Sequence, residues 1–496
     1  MLTPAEELGL SGLALASRVQ HALYRLGEDR LIRLVEDLRE EAVARHMVYF
    51  RDGEIEPIRV LPLPLTVLPD QVAYIHHATL TVQNALKRLP RLYLDDPDVR
   101  QILRLPDPEE RWLVECWGTS QEEHNSVFGR MDALIDFTSP MWKNSFRLVE
   151  PNLSGIGGLH MVPHSERLVS ELVVPALRQE DPELDLECGH DIRELLFQEI
   201  LDHMEAIDSG PQLCLIEAKY SGDGPDEQEQ LCRYFHDRHG LHVMHADPAE
   251  LELQRGEVRY CGTRVDLGYR DYSVTDLLEL EEEGVSVEPM KQLLRQNRVI
   301  SSIAAELDQK SCWEVLTDPL IAQKYFSPDE RLVFQRHVLW TRLISDRRTV
   351  LPEGHLGELL EYVARHQDDL VLKPNRSYGG EGVMLGCAVS DSQWRDTIEA
   401  ALAQPGSWVA QQLATIPVRE FPVLRPDGTL SAEPFYTVMG FAATEHGVSI
   451  LARASQKQVV NVAQRGGLAA VLVSRKAPVI AAPATALDLH LSRGKL

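Results

Sequence analysis

The chain has 496 residues, enough for two to four domains with cores of their own. Apolar residues make up 44% and charged residues 25%, the proportions of an ordinary globular protein. A formal net charge of -26, from 50 Lys and Arg against 76 Asp and Glu, argues against general nucleic-acid binding and a polybasic membrane surface, while leaving room for a local basic pocket.

At the N-terminus, Glu6 and Glu7 precede the apolar patch Gly9 to Ala16 and no basic segment leads it. It reads as an amphipathic helix, not a signal peptide. No apolar run approaches the roughly 18 to 20 residues of a membrane span, so no membrane partner is expected. Seven scattered cysteines without a CxxC pair read as reduced thiols of a cytoplasmic protein.

Residues 1 to about 125 read as mostly helical. Leu23, Leu26, Leu31, Leu34, Val35 and Leu38 recur at helical spacing, and charges fill the other face. The proline cluster from Leu61 to Pro69 breaks this region, and a second helical stretch, Val72 to Leu89, follows it. Met131 to Phe137 and Ser145 to Glu150 then read as two strands joined by a turn around Ser139-Pro140. A Gly-rich loop, Ser154 to Gly158, leads into helices through about Ile207.

Residues 211 to 275 form the clearest unit. A buried-type strand, Leu213 to Ala218, precedes a helix, Asp226 to His239, that Gly240 ends before the next strand, Leu241 to His245. This order predicts a parallel pair with a right-handed crossover. Further strands are expected at Val258 to Tyr260 and Arg264 to Arg270, and a helical segment at Arg298 to Leu316. Strands around Val371, Val383 and Ser407 to Gln412 follow, then antiparallel runs at Phe435 to Phe441 and Gly447 to Ala452. Ala484 to Leu496 reads as a tail.

Three constellations carry chemistry. The first is Val371-Leu372-Lys373-Pro374-Asn375-Arg376-Ser377-Tyr378-Gly379-Gly380-Glu381-Gly382-Val383, a strand that delivers a lysine into a Gly-rich turn. Such a turn lets backbone N–H groups close on phosphate oxygens, and the lysine adds a positive charge. An ordinary hairpin with positive-φ glycines is the rival reading. The chain has neither a GxxxxGK[ST] loop nor a GxGxxG motif opening a helix. The second is Glu150-Pro151-Asn152, two hard oxygen ligands on one side of a strand end, suited to Mg²⁺ beside phosphates. A strand-terminating turn explains the same residues. The third is Arg130-Met131-Asp132, a guanidinium and a carboxylate on one strand face, for which a surface ion pair is the rival. Cys232, His236 and His239 share a helical face, but a helix end explains them better than a metal.

Together these residues resemble the ATP-grasp superfamily, specifically its circularly permuted branch that includes glutathionylspermidine synthase-like amide ligases. Ala246 to Leu251, Val265 to Arg270, Leu451-Ala452-Arg453-Ala454-Ser455 and Gln464-Arg465-Gly466-Gly467 add to the likeness, which covers roughly residues 126 to 470. Glu150 and Asn152 precede Lys373 by over two hundred positions, where an unpermuted member has them after it.

The resemblance implies a mixed α/β (α+β) protein in permuted ATP-grasp order. Residues 1–125 would form a helical N-terminal region, 126–207 a metal-binding half, 208–295 a Rossmann-like unit, 296–483 the nucleotide lobes and 484–496 a tail. It implies ATP and Mg²⁺ as cofactors. Lys310, Lys373, Ser377, Gly379, Gly380 and Gly382 would hold the nucleotide, with Gln411 and Gln412 at the adenine hinge. Asp132, Glu150 and Asn152 would hold Mg²⁺, and Arg130 and Arg453 would lie near the reacting phosphate. Asp136 competes with Asp132 as the ligand. The implied activity joins a carboxylate to an amine through an acyl phosphate, on small-molecule or peptide substrates. The rivals are a non-catalytic nucleotide-binding protein and a phosphotransferase. No amidase-type nucleophile region is recognisable.

Overall fold

Capping and apolar spacing produce the first elements as the sequence pattern predicts. Thr3 and Glu6 form a capping box at the start of helix α1 (Pro4–Arg25), which buries Leu15, Val19, Ala22 and Leu23. Helix α2 (Glu28–Ala44) buries Leu31, Leu34 and Leu38. The computed structural model describes residues 2–51, 54–220, 227–377, 382–457 and 466–475.

The proline cluster brings the first departure. Strand β1 (Arg59–Val67) runs straight through it, where the sequence pattern predicts only a break. β1 lies at the end of its sheet, and Pro62 and Pro64 fall where its register slips, between Leu61 opposite Ala469 and Leu65 opposite Val471. Proline has no N–H to offer a ladder and is tolerated at such an edge or bulge. A leucine–proline alternation therefore looks like a linker while serving as a strand.

Helices α3 (Pro69–Leu86) and α4 (Asp107–Cys116) follow. Strands β2 (Arg130–Leu134) and β3 (Arg147–Asn152) form the expected antiparallel pair. After the Gly-rich loop come α5 (Met161–Leu168), the short strand β4 (Leu186–Cys188) and α6 (Ile192–Ala206). Strand β5 (Leu213–Ile216), helix α7 (Glu227–His239) and strand β6 (Met244–Ala246) make the predicted unit, with its strands parallel. Strand β7 (Leu267–Arg270) lies parallel to β5 on the other side, and β8 (Val299–Ile300) lies parallel to β7 beyond it. The stretch expected to be helical from Arg298 thus opens on a strand. Val299 and Ile300 are fully buried, and two residues leave no periodicity to read.

Helix α8 (Cys312–Thr317) leads to a second antiparallel sheet. It comprises β9 (Thr341–Leu343), β10 (Leu370–Pro374), β11 (Met384–Leu385) and β12 (Trp408–Gln412), in the order β9-β12-β10-β11. Leu370, Leu372 and Ala410 turn to one face of it, packed on Tyr362 and Val363 of α9 (Leu359–Arg365) and Trp394 of α10 (Asp391–Ala403). The last strands are β13 (Val418–Leu424), β14 (Leu430–Thr444), β15 (Gly447–Ser455) and β16 (Gly467–Ser474). They complete a sheet that among the described residues has eight strands. Its order is β1-β16-β15-β14-β2-β3, with β13 on β14 and β4 on β16. No helix among the described residues is long and apolar enough to cross a membrane. The expected tail, 484–496, lies outside the described residues.

Candidate functional site

Register gathers the acidic and basic residues on one face of the eight-stranded sheet. Asp132 on β2 stands opposite Glu150 on β3 and opposite Gly440 on β14. Arg130 stands opposite Asn152, and Arg453 on β15 opposite Val438. Directly opposed residues share a face and the alternation has period two. Arg130, Asp132, Glu150, Asn152 and Arg453 therefore project the same way. Asp132 accepts from Arg130 Nε at 3.0 Å and from an Arg453 terminal nitrogen at 2.6 Å. The Arg130 side chain crosses over Gly440, where a Cβ would lie 2.6 Å from Arg130 Cδ, so only glycine fits beneath it. Its other end donates to the Gly157 carbonyl at 2.6 Å.

The lysines come from the other side. Lys373 projects from the face of the second sheet that turns away from α9 and α10, as does Gln411. Lys310, just before α8, donates to the Ser377 carbonyl at 2.6 Å and lies 3.4 Å from Glu150. Asn375, 1% exposed, ties the base of the Gly-rich turn by accepting from Ser311 N and donating to the Gly406 carbonyl. Gly382 closes the turn at φ 69°, a left-handed conformation that favours glycine. Gly379 and Gly380 lie outside the described residues.

Charge is balanced unevenly. Burial would raise the Asp132 carboxyl, but Arg130 and Arg453 outweigh it and hold it below the usual value. Lys373 has no ion pair or hydrogen bond among the described residues. Burial pushes its ammonium down to about 8; Glu150 and Asp132 oppose that push and Lys310 adds to it. These effects also place Lys373 among Glu150, Lys310 and Asp132. A buried ammonium without a bonded acceptor is suited to an anion.

Oxygen donors fit a hard cation. Glu150 is partly exposed, and among the described residues nothing donates to Asn152 Oδ1, while its Nδ2 donates to the Arg130 carbonyl at 3.3 Å. Asp132 has both oxygens engaged by guanidinium groups. Asp136 lies past the end of β2, where it accepts from the Thr138 hydroxyl and N–H and pairs with Arg419 at 3.3 Å. Among the described residues, no group of three or more His, Cys, Asp or Glu is placed to hold a metal. That includes Cys232, His236 and His239. His239 stacks on Phe197 at 3.9 Å and bonds Glu194, and burial pushes the Cys232 thiol up to about 12.

Gln411 and Gln412 part company. Gln411 is buried, and its amide donates to the Val149 carbonyl and the Thr341 hydroxyl, tying the second sheet to β3. Gln412 is exposed on the opposite face, and its N–H donates to the Trp340 carbonyl.

A crevice the sequence pattern did not single out adjoins this site. In the parallel sheet the chain passes from β5 to β6 on one side and then to β7 on the other. The carboxyl ends of β5 and β7 thus flank a topological switch point, the usual ligand position in open parallel sheets. Glu217 and Asp271 follow those two strands directly. Asp271 keeps access to solvent, while desolvation of its carboxyl, with Glu217 and Glu227 nearby, raises it to about 6. Glu227 accepts from the N–H groups of Gly158, His160 and Met161, which ties the crevice to the loop that holds Arg130.

No protein-family model matches the chain, and no curated protein matches it. Among solved structures it is similar to a glutathione synthetase-like effector from Globodera pallida in its apo form. That match has a TM-score of 0.62 and 11% identity, and covers 90% of this chain and 97% of that one. The likeness shows a shared fold. A RimK-domain ATP-grasp protein from Sphaerobacter thermophilus is matched over 51% of this chain and 93% of that one at 12% identity. Its TM-score of 0.25 is too low to carry an argument.

Proposed function

We propose that this protein is an ATP- and Mg²⁺-dependent ligase of the ATP-grasp type, in circularly permuted order, that joins a carboxylate to an amine. The observation that carries this reading is the meeting of Lys373 and Lys310 with the acidic and arginine face of the larger sheet. Arg453 and Asp132 meet there although 321 positions separate them. The oxygen-ligand strands β2 and β3 precede both lysines, and strands from the far end of the chain complete their sheet. That is the order a permutation produces.

Lys310 and Lys373 hold phosphate oxygens, and Ser377 and the turn's glycines, including 379, 380 and 382, close over them. Gln411 and Gln412 end the strand beside which adenine lies. Glu150 and Asn152 hold Mg²⁺, which when bound neutralises charge on the phosphates. A substrate carboxylate oxygen attacks the γ-phosphorus, and the bond to ADP breaks. The amine then attacks the acyl carbon and phosphate leaves, the ammonium proton passing to phosphate or solvent. Arg130 and Arg453 stabilise the anionic oxygens in both steps. The Glu217–Asp271 crevice, beside the loop that holds Arg130, receives a substrate. All seven cysteines are free thiols, in keeping with a cytoplasmic location.

The test is ADP and phosphate release, screened across amino acids, small peptides and polyamines with carboxylate donors. Acceptor-dependent release of both products, abolished in Lys373→Ala and Glu150→Ala, is the expected result. A stable phosphorylated acceptor would instead mean a phosphotransferase. Tight ATP binding without turnover would mean a non-catalytic protein.

A further inference from the structure

Asp132 and Glu150 face each other across adjacent strands, yet their surroundings differ in kind. Among the described residues Glu150 has one ion-pair partner, the Lys310 ammonium at 3.4 Å, and its side chain is 24% exposed. Asp132 is 3% exposed, and each of its oxygens accepts from a different arginine. A divalent cation there would have to sit beside two guanidinium groups and compete with them for the same two oxygens. Like charges at such distances repel strongly in a water-poor site.

We infer that Asp132 is a positioning residue that holds Arg130 and Arg453 together as one anion clamp, and that metal binding falls to Glu150 and Asn152 without it. The inference rests on the ligase reading for what the clamp grips, namely the oxygens of the transferred phosphoryl group. Side by side, two guanidinium groups repel, and the carboxylate between them cancels that repulsion while fixing where each points. Arg130 is held at both ends, by Asp132 and by the Gly157 carbonyl, with its stem seated on Gly440. Arg453 is held at one end only. Among the described residues its Nε is buried without a partner, a donor still in need of an acceptor. An anion held in front of the pair can supply one. Asp132 is thus anchored as a counter-ion, and the open valence of the cluster lies on the arginine side.

Two measurements separate a counter-ion from a metal ligand. The first is Mn²⁺ binding in the presence of ADP, followed by electron paramagnetic resonance on wild type, Asp132→Asn and Glu150→Gln. This readout needs no turnover, so it stands even if the ligase reading fails. Asp132→Asn should leave Mn²⁺ affinity within about twofold of wild type, whereas Glu150→Gln should weaken it at least about tenfold. The second is a double-mutant cycle on kcat with Asp132→Asn and Arg453→Gln. Each single change should lower kcat roughly 100-fold, and the double variant should be scarcely worse than either. A drop in Mn²⁺ affinity for Asp132→Asn matching that for Glu150→Gln would overturn the inference, as would fully additive losses in the cycle. If Asp132→Asn does not fold, Asp132→Glu and Arg453→Gln are measured for Mn²⁺ affinity instead. Strengthened binding in Arg453→Gln is then the overturning result, because freeing a true ligand from its arginine should strengthen binding.

Discussion

The two halves of the site solve the same electrostatic problem in opposite ways. On the larger sheet each charged side chain of the site has an oppositely charged partner: Arg130 and Arg453 both bond Asp132, and Glu150 leans on Lys310. On the smaller sheet Lys373 is buried with no partner at hydrogen-bond distance among the described residues, and burial, chiefly, pushes its ammonium down to about 8. One half has its charges paired before any ligand arrives. The other keeps an unsatisfied cation that an anion completes. Preorganised dipoles and charges stabilise transition states because they need not reorganise, whereas an uncompensated charge favours ligand binding.

Removing the uncompensated charge gives the largest expected effect. Lys373→Met should lower ATP turnover by about 1000-fold or more, since a phosphate-contacting cation in a dry site is lost. The same change should stabilise the fold at neutral pH. Moving a lysine from its ordinary value to about 8 corresponds to roughly 3 kcal/mol of unfavourable burial. The penalty is complete below pH 8, where the ammonium is charged in both folded and unfolded chains. It fades between about pH 8 and 10.5, where only the folded chain has lost the proton. Chemical denaturation at pH 7 should therefore show Lys373→Met more stable than wild type, with the gap closing by pH 10. A less stable variant at pH 7 would mean that Lys373 is paired after all.

The same titration sets the pH dependence of catalysis. In wild type kcat/KM for ATP should fall about tenfold per pH unit above about 8, as Lys373 loses its charge in the free enzyme. In Lys373→Arg the fall should vanish, because a guanidinium stays charged throughout that range. A flat wild-type profile up to pH 9.5 would contradict the contrast between the two halves.

A smaller effect probes the paired half. Gly440→Ala would place a methyl group 2.6 Å from Arg130 Cδ and 2.9 Å from its Nε. Arg130 is held at both ends, so its stem cannot simply swing aside. The variant should lose about tenfold in kcat and about 1–3 kcal/mol of stability, with KM for ATP little changed. If instead KM for ATP rises and kcat holds, Arg130 serves nucleotide binding and the two halves are less distinct than their charges imply.

Much of this architecture is legible in the chain, and what is not has definite causes. Alternation puts Arg130 and Asp132 on one face, and the structure has them hydrogen-bonded. The strand that delivers Lys373 is plain from its apolar run. What alternation cannot supply is register. Asp132 meets Glu150, and not a neighbour, because the β2–β3 ladder slips one position between Asp132 and Ala133. Nor can it supply the partner of Asp132 on β15, far along the chain. Prolines hid β1, since a residue that breaks central strands is acceptable at an edge. Period two also places Gln411 and Gln412 on opposite faces, so a nucleotide beside their strand would meet its backbone and only one of the two side chains. The crevice at Glu217 and Asp271 becomes visible only once the parallel strand order is known.

The smallest effect concerns the acid that competed with Asp132 in the sequence. Asp136 is 38% exposed and pairs with Arg419, itself 28% exposed. Exposed ion pairs of this kind contribute about 0–1 kcal/mol, because solvent screens them and two side chains must be ordered to form them. Its bonds to Thr138 close a local turn of the sort aspartate favours. Asp136→Asn keeps an oxygen able to accept those bonds and removes only the charge. It should shift stability by less than about 1 kcal/mol and leave turnover and Mn²⁺ affinity within about twofold of wild type. Because Asp136 lies only two residues beyond the end of β2, a sizeable loss of Mn²⁺ affinity in this variant would show that the β2–β3 turn rearranges when metal binds. The paired charge set on the larger sheet would then be a feature of the ligand-free state alone.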